Sequence, residues 1–159
     1  MKQVTTTLFA ALFITLLISS CSSGRKRSAD FLPPLIIEIP TEIKGDKELV
    51  EIVESSEKAI NEFSDNIERI AVDGKDILNK EDEDLTLMDQ MKMAKMAVEF
   101  ISNSTQMAQA LEQFDTYVES KESQGIINDA QLKALEQVAL NFTERMDQIE
   151  AKYENYYNN

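Results

Sequence analysis

The sequence predicts an all-α protein: an elongated, antiparallel, coiled-coil-like three-helix bundle behind a signal segment and an extended tether. Three observations carry that expectation. From residue 46 onward, apolar residues recur in alternating steps of three and four, the spacing of helices with buried seams. Four glycines and three prolines in 159 residues are too few for the turns of a sandwich or barrel. The connectors between the periodic stretches are short, so neighbouring helices must run antiparallel.

Residues 1–20 read as a signal peptide and take no part in the fold. Lys2 supplies a positive start, and residues 8–18 run LFAALFITLLI with Thr15 the only polar interruption. Eleven helical residues span about 16 Å, whereas a bilayer core is about 30 Å thick, so a permanent transmembrane helix is not expected. Ile18, Ser19 and Ser20 then lead into Cys21, the only cysteine of the chain. This quartet resembles the lipobox of bacterial lipoproteins: a branched aliphatic residue, two small residues and the Cys. The resemblance covers about the first 24 residues, with Ile18 in place of the commoner Leu and Ser20 in place of Gly or Ala. It implies that Cys21 becomes the lipid-modified first residue of the mature chain. Two or more acyl chains make a durable anchor where one is marginal. In enteric members of that family Asp after the Cys retains the protein at the inner membrane, so Ser22 implies the outer membrane. The stretch after the Cys is basic, not acidic, which implies a periplasm-facing protein.

Residues 21–45 form the expected tether. Arg25, Lys26 and Arg27 suit either contact with anionic headgroups, about 1 kcal/mol each, or a solvated linker. Beyond residue 30 the chain carries twelve basic and twenty-eight acidic side chains, so the folded part is repelled from an anionic bilayer. Pro33 and Pro34 forbid a helix interior in Phe31–Pro40, and the alternation after them suits an extended strand. A run this apolar is expected to dock along the bundle, or onto a partner.

The first helix is expected over 46–79, with Asp46 as N-cap and a seam through Leu49, Val53, Ser56, Ile60, Phe63, Ile67, Ile70, Gly74 and Ile77. Gly74 marks a close crossing or a kink. The acidic connector 80–84 leads to Thr86 and Asp89, a capping-box pattern opening a helix over 86–122. Gly125 is its stop signal. Asn128 with Gln131 opens the third helix, 128–157, whose seam is Leu132, Leu135, Ala139, Phe142, Met146, Ile149, Tyr153 and Tyr156.

The middle helix carries two apolar stripes. One holds Met91, Ala94, Val98, Ile101, Thr105 and Ala108, the other Met93, Met96, Phe100, Met107, Leu111, Phe114 and Val118. Together they cover roughly 220° of the helix. Either this helix lies between the other two, or the second stripe is a binding groove. Five of the seven methionines fall between Met88 and Met107, and Met adapts to varied partners, so Met93, Met96, Phe100, Met107 and Leu111 are the candidate partner-binding residues.

Catalytic chemistry finds no support. No histidine is present, which removes the usual general base and neutral metal ligand. Ser55, Ser56, Ser102 and Ser104 thus lack a His partner for activation. One cysteine makes neither an internal disulfide nor a cysteine zinc site. A net charge of -13 argues against nucleic acid. The four carboxylates of 81–84 lack the spacing of a calcium loop. No catalytic residues, metal or cofactor are therefore expected. The expected function is that of a lipid-anchored binding or scaffolding protein of the cell envelope, meeting the membrane through Cys21 and a protein partner through the bundle. The alternative is a periplasmic client-binding chaperone or inhibitor using the Met-rich face. Oligomeric state is left open.

Overall fold

The computed structural model describes residues 30–157, with side chains to Glu154; the signal segment, the lipobox quartet and Cys21 lie outside the described residues. The architecture is all-helical: α1 (Lys47–Asp73), a one-turn α2 (Lys75–Leu78), α3 (Leu87–Ser123) and α4 (Asp129–Tyr157), with a short 3-10 turn at Asp82–Asp84. Each long helix runs antiparallel to the one before it in the chain, so α1 and α4 run parallel.

Each helix end follows its local chemistry. The Asp46 side chain accepts the Leu49 N–H at 3.2 Å and so caps α1. At Gly74 the helix breaks and restarts: an added Cβ would lie 2.4 Å from the Ile70 carbonyl oxygen, so no larger residue fits this turn undisturbed. Thr86 and Asp89 form a reciprocal capping box at the start of α3. At its end Gly125 takes φ +67°, and bonds from Gly125 N to Glu122 O and from Ile126 N to Lys121 O complete a Schellman motif. Asn128 and Gln131 then exchange backbone and side-chain bonds at 3.0 and 3.1 Å to open α4.

The helix between the other two is α1, not the middle helix of the sequence. It packs along α3 for most of its length and more sparingly on α4, and buries Leu49, Ile52, Val53, Ile60 and Phe63. Helices α3 and α4 meet where Phe114 and Phe142 stack edge to face, centroids 5.6 Å apart. The reason lies in α1's polar residues. Ser56 donates to the Ala110 carbonyl of α3 at 3.2 Å, and Ser64 accepts from the buried Arg145 of α4 at 2.7 Å. Ser56 stands in the seam that the spacing predicts, whereas Ser64 is interior although its residue type reads as surface.

Residues 31–46 lie along α1, antiparallel to it, and return to its N-terminus through a turn at 41–45. The alternation expected of a strand is there: Ile37 is buried, Leu35 and Ile39 half-buried, Ile36 and Glu38 exposed. No strand among the described residues pairs with it. Its backbone instead bonds to side chains on α1. Leu32 N donates to Glu68 Oε1 at 2.7 Å, Ile37 N to Glu57 Oε2 at 2.8 Å, and Leu35 exchanges both its backbone groups with the Asn61 amide at 2.8 Å. This satisfies polar groups that would otherwise be desolvated by docking. Ile43, fully buried, anchors the turn.

Candidate functional site

Among the described residues, helix α3 is covered on one side only. Phe114 is buried, and Met107, Leu111, Tyr117 and Val118 pack against the core. Phe100 meets Phe63 of α1 at 5.9 Å between centroids. Of the candidate partner-binding residues, Met93, Met96, Met107 and Leu111 are thus half-buried on the inward side, and Phe100 is 40% exposed at its margin.

The other stripe faces outward. Leu87, Met91, Val98 and Ile101 are 74%, 62%, 67% and 64% exposed, and Ala94, Thr105 and Ala108 between and beyond them are exposed too. The steps from Leu87 to Ala108 alternate four and three without a break, which is a heptad seam of three turns of the repeat. A signal separating the two stripes was present in the sequence. The inward one is bulky at its C-terminal half, with Leu111, Phe114 and Val118, whereas the outward one dwindles to Thr105 and Ala108, which fill little core volume.

One end of the bundle gathers several features. The first described residue, Asp30, lies there: its carbonyl accepts from Lys152 Nζ, which also pairs with the fully buried Glu68 at 3.0 Å. The start of α3 is at the same end. A cavity of about 790 Å³ opens there between α1, α2 and α3, its apolar wall including Phe31, Ile70, Ile77 and Met96 and its rim Arg69, Lys92 and Lys95 opposite Asp73, Asp76 and Glu99. The rim charges balance, and the buried Asn66 Oδ1 beside it has no hydrogen-bond partner.

Asp89 carries a perturbed carboxyl at this end. Its Oδ2 accepts from Lys80 Nζ at 2.7 Å and from the Thr86 hydroxyl at 2.7 Å, and these bonds hold its pKa down at about 2. The interaction fastens the acidic connector to the start of α3. The carboxylates of 81–84 are all exposed, and no group of three or more metal-ligating side chains converges among the described residues. No helix among them is long and apolar enough to cross a membrane.

No family model, curated protein or solved structure matches the chain.

Proposed function

We propose that this chain is a lipid-anchored protein of the bacterial cell envelope that binds or scaffolds and catalyses nothing, held by acyl groups on Cys21 at the outer membrane and facing the periplasm. Its partner is a protein, met through the outward face of α3. The observation that carries the binding role is that face: a long apolar seam that the described residues leave uncovered, on a chain with a charge of -13. An exposed contiguous apolar patch of this kind marks an interaction site.

The tether supports the anchor. Eight residues lie between Cys21 and Asp30, nine chain steps with a reach of at most about 30 Å. With Cys21 acylated, the Asp30 end stays near the bilayer and the seam of α3 rises from it. The Glu68 and Lys152 contacts fix that end to the bundle, so a pull on the tether reaches α1 and α4 directly.

A second reading, a client-binding chaperone or inhibitor, is favoured by Met96 lining the 790 Å³ cavity beside the half-buried Met93. Widening or blocking the cavity, for instance with Met96→Trp, separates the two: only the chaperone reading expects client protection to change.

Fractionation of cells producing Cys21→Ser tests the anchor. The variant should leave the membrane fraction. Retention equal to that of the unaltered chain would contradict it.

A further inference from the structure

We infer that the partner of the outward face of α3 is a second copy of this chain, joined through a coiled-coil seam of Leu87, Met91, Ala94, Val98, Ile101 and Ala108. This rests on the proposal that the face is a binding surface, and it names what binds.

The heptad assignment supplies the first argument. With Met91, Val98 and Thr105 at the a positions and Leu87, Ala94, Ile101 and Ala108 at the d positions, the repeat is the one that keeps a seam facing a partner helix. The outlier, Thr105, carries no unmet bond into the seam, because its hydroxyl donates to the Ile101 carbonyl at 2.8 Å.

Charge supplies the second. Two copies of a chain bearing -13 repel one another almost everywhere. The positions flanking the seam are Met88, Lys95, Ser102 and Gln109 on one side and Gln90, Ala97, Ser104 and Leu111 on the other. Lys95 is the single charge among these eight, and Glu99 of the same helix lies 3.7 Å from its Nζ. The face is therefore neutral, and flanking positions are where charges select or reject a coiled-coil partner. A cationic partner would find nothing here to pair with, and an anionic bilayer would meet the carboxylates of 81–84 beside Leu87. A second copy brings its own 81–84 carboxylates to the same end, but along the seam it presents flanks that set no like charges against each other.

Area supplies the third. Two such faces offer on the order of 1,000 Å² of mainly apolar surface, close to the lower bound for a specific interface. The small residues Ala94, Ala97, Ser102 and Ala108 let the two helices approach closely.

The test is cysteine cross-linking in intact bacteria producing the full chain, with a short bismaleimide as the probe. Val98→Cys and Ile101→Cys should give a covalent species of twice the chain mass. Glu136→Cys, exposed on α4, and the unaltered chain should give none. Adding Ile101→Asp to Val98→Cys should abolish the product while helicity and membrane fractionation are unchanged, since Ile101 is 64% exposed in the monomer. The inference is overturned if Val98→Cys yields no more dimer than Glu136→Cys, if it links only to proteins of other mass, or if lipid alone shields its thiol. Cross-linking of the unaltered chain through Cys21 would instead contradict the acylated anchor, which keeps the two failures apart.

Discussion

The Tyr117 hydroxyl of α3 lies 2.9 Å from each carboxylate oxygen of Asp46, the residue that caps α1. One side chain thus orders a helix start and ties it to the neighbouring helix, seventy-one residues away in sequence. Tyr117→Phe should cost about 1.5 kcal/mol, the value of a hydrogen bond to a charged group. Asp46→Ala should cost more, about 2–3 kcal/mol, because the cap is lost with it. Urea unfolding of both variants checks the order.

The same contact sets a response to alkali. Burial, and then the Asp46 carboxylate, push the Tyr117 phenol well above its ordinary value. Folding therefore favours the protonated phenol, so this contribution is fully present below pH 10 and is lost as pH rises beyond it. Ultraviolet titration of phenolate should show one tyrosine ionising last, and Tyr117→Phe should remove that step.

Asp89 responds at the opposite extreme. Its carboxyl is held at about 2 by Lys80 and Thr86, below the ordinary value near 4. Its contribution is complete above the ordinary value and disappears as pH falls towards 2. Carboxyl titration by NMR should find this midpoint, and Lys80→Ala should raise it.

The docked segment gives a local prediction. Asn61→Ala removes both bonds to Leu35, and the Leu35 amide should exchange with deuterium far faster while the α1 core keeps its protection. Glu68→Gln should cost about 2 kcal/mol, less than a fully buried pair because Lys152 is partly solvated.

Phe114→Ala should cost about 3–5 kcal/mol, as expected for a fully packed aromatic. It also removes the edge-to-face contact with Phe142, so thermal unfolding should show α4 loosening from α3 first.

The helix ends were legible in the sequence because their chemistry is local. Asp46, Thr86 with Asp89, Gly125, and Asn128 with Gln131 each act within a turn of themselves, and the observed helices begin within a residue of the expected 46, 86 and 128. Gly74 was legible as a disturbance, and it divides the first helix in two. The central place of α1 was not legible. It depends on Ser64 and Glu68 being buried, and on Arg145 lying inside a seam otherwise apolar. Periodicity records apolar positions, and a polar residue buried by a bond to a distant element leaves no mark on it. The side-chain bonds from Glu57, Asn61 and Glu68 to the docked segment were hidden for the same reason. Of the two stripes on α3, both were visible, but which one faces outward was decided by α1.

The most direct measurement is the intact mass of the protein extracted from bacterial membranes. The account predicts a chain that starts at Cys21 and carries the added mass of acyl groups there. A chain retaining residues 1–20, or one starting at Cys21 with a free thiol and no added mass, would contradict it.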